Sequence, residues 1–254
     1  SSFAYSLVLF FDKTGKTISL LDFFYLQLFI ALDSKYRTNG YKIMSGFRVN
    51  GTIVLSMLLN KPNLINAYIA VSPELKNDYA SILSSAKKRL RKLTDKPRYL
   101  LFSHGNTIKE DHQLESYKQL NTLLNKHAPN ELNWQHKHFN NNYFMSLPLL
   151  STITAIENVF DDIHRGLAPQ STIAQQGVNA IIQHYDYLSK EKYGFDVSPK
   201  HSLNQLGFHL LTKSKSAGLK VLKQVVELYP NDINSHHNLA KAYAQLNIFS
   251  KAVE

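Results

Sequence analysis

Residues 41–59 read Tyr-Lys-Ile-Met-Ser-Gly-Phe-Arg-Val-Asn-Gly-Thr-Ile-Val-Leu-Ser-Met-Leu-Leu. The apolar run 41–45 predicts a short strand, and 52–59 an apolar helix that Pro62 stops. Between them lies Gly46-Phe47-Arg48-Val49-Asn50-Gly51, too short for anything but a tight strand-to-helix turn. Glycines stand on both sides of Arg48, as in a tight turn.

The same alternation continues outward from this stretch. Segment 20–32 is apolar enough for a buried helix, ended by the turn 33–40. Residues 67–71, Ala-Tyr-Ile-Ala-Val, predict a strand buried on both faces. A helix is expected over 78–93, a strand over 98–102, a helix over 111–126, a strand over 132–139 and a helix over 149–164. Strand and helix alternating at this spacing imply a parallel sheet covered by helices on both sides. Residues 4–11 are a candidate fifth strand.

Composition sets further bounds. With 254 residues and 44% hydrophobic content, the chain has the make-up of an ordinary globular protein of one large or two small domains. Asp22 and Gln27 break the longest apolar run, so no membrane span is read. Residues 1–11 lack a basic start and a small-residue cleavage site and are not read as a signal peptide, leaving periplasm and cytoplasm both open. Zero cysteines exclude disulfides, thiolate zinc sites and cysteine nucleophiles. The net charge of +10 favours anionic partners. Its densest cluster, Lys87-Lys88-Arg89 with Arg91, Lys92, Lys96 and Arg98, lies over an apolar helical stripe and reads as a solvated face. No nucleic-acid motif accompanies it. Nothing in the sequence calls for a cofactor.

The character of the chain changes near residue 165. The division expected is 1–165 for the α/β domain, 166–199 for a linker and connecting helix, and 200–254 for a helical repeat. In the last segment Leu206-Gly207 and Leu239-Ala240 stand roughly 33 residues apart, close to the tetratricopeptide period of about 34. Tyr229-Pro230 separates the two units. Such repeats present surfaces to protein partners.

Histidines are the remaining candidates for chemistry. His136 and His138 lie two apart on a strand and share a face, the start of a metal site. No third ligand is evident beside them, so they read as a partly exposed strand face, and no metal is assigned. His236-His237 opens a repeat helix, where sequence neighbours do not share a face.

The turn at 46–51 resembles a nucleophile elbow, the strand–turn–helix that carries the serine of an α/β-hydrolase. Tyr36-Arg37-Thr38 precedes it. Asn60-Lys61-Pro62, Asn66 through Pro73, Phe102-Ser103-His104-Gly105-Asn106 and Tyr143-Phe144-Met145-Ser146-Leu147-Pro148 follow it. Together these resemble, over 21–160, the esterase family of α/β-hydrolases that includes enterobactin and ferric-siderophore esterases. The resemblance implies an α/β-hydrolase-like parallel sheet, with early strands missing or reduced, followed by an all-α tetratricopeptide-like tail.

What the resemblance implies about catalysis is degenerate. Arg48 stands in the nucleophile's place, and a guanidinium stays protonated and cannot attack a carbonyl. Phe144 stands where the family has its histidine. Glu110 or Asp111 would be the acid, with no imidazole to orient. The N–H of Val49 is the one candidate oxyanion donor. Ser72, Ser103 and His104 lie at strand ends, where ligands bind in such sheets. Adjacent Ser103 and His104 point to opposite faces and do not form a dyad.

The reading is therefore a catalytically inactive esterase-like protein that binds a protein partner through 200–254 or an anionic small molecule at Arg48. A homo-oligomer is compatible with it. The alternatives are an active carboxyl-ester hydrolase with a non-standard site, and a tetratricopeptide interaction module on a hydrolase scaffold.

Overall fold

The computed structural model describes residues 10–11, 17–18 and 27–252. Phe10–Phe11 (β1) and Thr17–Ile18 (β2) pair antiparallel in a sheet of their own. The described part of the 4–11 segment thus does not extend the main sheet as a fifth strand. The rest of that segment, and most of the 20–32 helix, lie outside the described residues. The described remainder of that helix is Phe29–Lys35 (α1).

Among the described residues the main sheet has four parallel strands in the order β3-β4-β5-β6: Ile43–Phe47, Ala67–Val71, Arg98–His104 and Leu132–His138. β4 and β5 are buried along their whole length, as their apolar sequences require of central strands. Register is in step throughout, with Gly46 beside Ala70, Ala70 beside Phe102 and Phe102 beside His136.

Three helices cover one face: Val49–Asn60 (α2), Ile82–Leu90 (α3) and Leu114–His127 (α4). Their apolar sides meet Tyr68, Ala70, Leu100, Phe102 and Leu132 in a continuous core. The other face carries Leu147–Val159 (α5), reached by Ser103 through Ser151 (Oγ to Oγ, 2.8 Å). α2 buries seven of its twelve residues, among them Val54, Leu55, Met57 and Leu58, so it is an interior helix.

Helix boundaries differ from expectation most at two places. Helix 78–93 begins only at Ile82, after an irregular turn in which Asn77, Asp78, Ala80 and Ser81 take positive φ. Asp78 sets the start: its Oδ1 accepts the N–H of Leu83 at 2.7 Å, which leaves Asp78 itself outside the helix. The helix expected over 149–164 stops at Val159, and a short turn, Asp161–His164 (α6), follows.

The described residues up to Val159 form one compact unit and those from Phe160 a second. The second is all helix. Thr172–Gln175 (α7) and Val178–Tyr187 (α8) lead into a wider turn at Leu188–Tyr193, closed by Gly194 at φ 73°. Then come Lys200–Lys213 (α9), Lys215–Leu228 (α10), Ile233–Gln245 (α11) and Phe249–Ala252 (α12). Ser214 caps α10 by accepting the Ala217 N–H, and Asp232 caps α11 by accepting from Ser235. Gly207 lets α9 and α10 close up, since a Cβ there would meet the Leu222 side chain at 2.7 Å. Among the described residues no helix is long and apolar enough to cross a membrane.

Candidate functional site

β3 delivers the chain to Arg48, whose backbone sits at φ 56°, ψ −121°. This is a sparsely populated region for a side-chain-bearing residue, and holding it costs on the order of 1–3 kcal/mol. The glycines make it sterically feasible. A Cβ on Gly46 would lie 2.2 Å from the Asn50 carbonyl oxygen, and one on Gly51 2.9 Å from that of Val71. The Arg48 N–H donates to Val71 O at 2.9 Å, pinning the turn to β4. The strand, strained tip and helix of an elbow are all in place.

The side chain at the tip is half exposed and ion-paired. Arg48 Nε and Nη2 both donate to Glu74 Oε1, at 3.0 and 2.8 Å. The other Glu74 oxygen accepts from Gln113 Nε2 and lies 3.6 Å from His112 Nε2. Gln113 is buried and its Oε1 accepts the N–H groups of Leu75 and Lys76, both at 2.8 Å. Glu74 is therefore held from behind, and Arg48 folds onto a fixed carboxylate. An exposed pair of this kind contributes roughly 0–1 kcal/mol, less than the strain of the turn. The backbone geometry is not maintained by the ion pair.

Phe144 lies against Phe47 on the turn at 46–51. It is buried in the turn Phe144–Ser146, and its ring lies 5.0 Å from that of Phe47. Lys109 Nζ sits 5.4 Å from the Phe144 ring centre. The position next to the tip is apolar and offers no proton acceptor. Val49 opens α2 directly after Arg48, which is the N-cap without a side-chain cap bond.

Of the other sequence candidates, Glu110, Ser72, Ser103 and Arg98 have structural partners. Glu110, 2% exposed, accepts from Ser72 Oγ at 2.6 Å, Gly105 N at 2.9 Å and Thr107 Oγ1 at 3.2 Å. It bridges the ends of β4 and β5 and holds Ser72, itself at φ 44°. Asp111 is exposed at the start of the turn before α4. Ser103 is fully buried against Ser151. Ser45 is exposed on β3, one residue before the glycine. The basic cluster also divides. Lys87, Lys88 and Arg89 sit on α3, whereas Arg98 is buried and donates to Pro62 O at 2.8 Å, Lys96 O at 3.0 Å and Asp95 at 2.8 Å. His236 and His237 are exposed, and His236 Nε2 lies 2.8 Å from Pro230 O.

One expectation is corrected. No third partner is evident in sequence for His136 and His138, yet His104 stands beside them, with one ring nitrogen from each lying within 4.8 Å of the others. Register explains it: His104 pairs with His138, and Phe102 with His136, so all three imidazoles leave the same face at adjacent strand ends. The signal was present as two strands that each finish in histidine, but only their alignment reveals it.

No protein-family model matches the chain, and no curated relative does. Solved structures do. An IroE-like serine hydrolase from Shewanella oneidensis is 21% identical with a TM-score of 0.56, over 88% of this chain and 73% of that one. An uncharacterised protein from Capnocytophaga ochracea is 12% identical with a TM-score of 0.62, over 89% of this chain and 64% of that one. The likeness shows the fold. It is that of an α/β-hydrolase-like sheet with a helical C-terminal part, and it extends across most of the chain.

Proposed function

We propose that this chain is a hydrolase-fold protein that binds rather than cleaves, a pseudoenzyme of the serine-esterase type. One observation carries the reading: at the strained tip of the elbow stands Arg48, paired with Glu74, and beside it Phe144 packs on Phe47. A serine-esterase step needs a hydroxyl at the tip and an imidazole to take its proton. Both places hold groups that do neither. Losing either member of such a triad typically costs on the order of a million-fold in rate. The substitutes are poorly placed, because Ser103 is sealed against Ser151 and Ser72 is bound to a carboxylate already engaged by Gly105 and Thr107.

Binding then divides between two surfaces. An anion at Arg48 shares the guanidinium with Glu74, which makes that site weak for small carboxylates. The helical segment 200–254 favours a protein partner, supported by the close Gly207–Leu222 packing of α9 and α10 and by capped, successive helices. In this second reading the tetratricopeptide-like tail is the working surface and the hydrolase part its scaffold. A homo-oligomer stays within the proposal, since β3 has β4 on one side and no strand on its other side among the described residues.

The test is direct. Tag-free protein is incubated with p-nitrophenyl esters and with a fluorophosphonate probe. Neither turnover above buffer nor covalent labelling is expected. Labelling of Ser45, Ser72 or Ser103, located by peptide mapping, sinks the inactive reading in favour of an ester hydrolase with a non-standard site. The double variant Arg48→Ser, Phe144→His is expected to acquire labelling at residue 48. Its failure to do so would remove the elbow from the argument.

A further inference from the structure

We propose that His104, His136 and His138 form a binding site for a borderline divalent transition metal, with Zn²⁺ as the reference ion, at the carboxyl ends of β5 and β6. One ring nitrogen from each of the three lies within 4.8 Å of the others. The rings are close as well: His104 to His138 and His136 to His138 are both 4.3 Å between centres, and His104 to His136 is 5.1 Å. A tetrahedral ion with Zn–N bonds of about 2.0–2.1 Å brings its ligand nitrogens to roughly 3.4 Å from one another. His138 is exposed and rotates to close that gap without disturbing the core.

Two further observations point to a ligand. His136 Nε2 is buried and has no hydrogen-bond partner among the described residues. A buried polar atom left in this way is costly, and an ion at the cluster would engage it. His104 is oriented as a metal ligand is: its Nδ1 lies 2.7 Å from Gly105 O, so Nδ1–H donates to the carbonyl and Nε2 keeps its lone pair. The site also rests on a stiff base, His136 stacked on Phe102 at 4.5 Å and His104 stacked on Tyr117 at 4.6 Å.

The donor set selects the metal. Three imidazoles without a carboxylate or thiolate suit Zn²⁺, Cu²⁺ or Ni²⁺ and not Mg²⁺ or Ca²⁺. Three protein ligands leave a fourth position for water or an exogenous donor, the pattern of open sites. The inference does not depend on whether the elbow is inactive.

The experiment uses tag-free full-length chain, treated with a chelator and dialysed. Zn²⁺ is titrated in competition with a chromophoric chelator, and Co²⁺ is added separately to read coordination from its visible bands. The expected result is saturable binding of one ion per chain, tetrahedral-type Co²⁺ bands, a rise in melting temperature with Zn²⁺ and none with Mg²⁺. His138→Ala, at an exposed position, is expected to weaken Zn²⁺ by at least about tenfold while leaving the metal-free melting temperature unchanged. His136→Ala is expected to lose binding as well, and His112→Ala to keep it. Absence of saturable binding, or parental affinity in His138→Ala, overturns the proposal. Because His138→Ala does not touch the core, its result stands even where His136→Ala fails to fold.

Discussion

Two places in the first unit invite chemistry, and they are built in opposite ways. At the elbow the backbone is forced into φ 56° at Arg48 and depends on Gly46 and Gly51, yet the side chains presented there are an ion-paired arginine and a phenylalanine. At the ends of β5 and β6 the backbone is ordinary paired strand, and the side chains are three imidazoles on one face. The elbow keeps geometry without reactive groups. The histidine end has reactive groups without special geometry. Fold and chemistry are thus separable: a costly backbone persists because packing holds it, and ligating groups gather wherever register brings them together.

The comparison breaks most readily at Gly46. Gly46→Ala places a Cβ 2.2 Å from backbone oxygen, which no side-chain movement relieves. A loss of about 3 kcal/mol is expected from the urea midpoint. A loss under about 1 kcal/mol would mean that the turn is soft and that its strain is not held by the fold. The opposite substitution sharpens the point. Arg48→Gly removes the exposed Glu74 pair but relieves the strained φ, so it is expected to be neutral or stabilising by about 1 kcal/mol. Destabilisation by 1 kcal/mol or more would show that the ion pair, and not packing, sustains the elbow.

The histidine end is read through pH. Burial, followed by the nearby His138 and His104, pushes the His136 pKa down from 6.5 to about 4. Between those values the unfolded chain binds more protons than the folded one, so stability is full above pH 6.5 and declines as pH falls toward 4. In chelator-treated His136→Phe, which retains an aromatic ring against Phe102, the drop in urea midpoint between pH 7 and pH 5 is expected to be shallower than in the parent. An unchanged drop would place the acid sensitivity elsewhere and leave the histidines electrostatically silent.

Much of the fold is legible in the chain because its cues are local. The run Ala67–Val71 is apolar and bounded by turn residues, and it is a strand over just those residues. The strands beginning near Ile43, Arg98 and Leu132 follow the same logic, differing from expectation by a few residues at their ends. The false start of α3 is also local, but subtle: Asp78 caps from several residues upstream, across a turn of positive φ that its sequence does not advertise. The pairing of Arg48 with Glu74 and the alignment of His104 with His138 are not local at all. Each depends on which strands are neighbours and in what register, which periodicity along one segment cannot supply.

The half-exposed tip of the elbow has a practical consequence. The chain contains no cysteine, and the turn thrusts residue 48 outward from a rigid base between β3 and α2. A single thiol introduced there would be unique in the molecule and carried on a short, well-anchored lever. Fluorophores, spin labels or crosslinkers attached at that point would report on approach to the sheet's upper rim with little blur from their own tether.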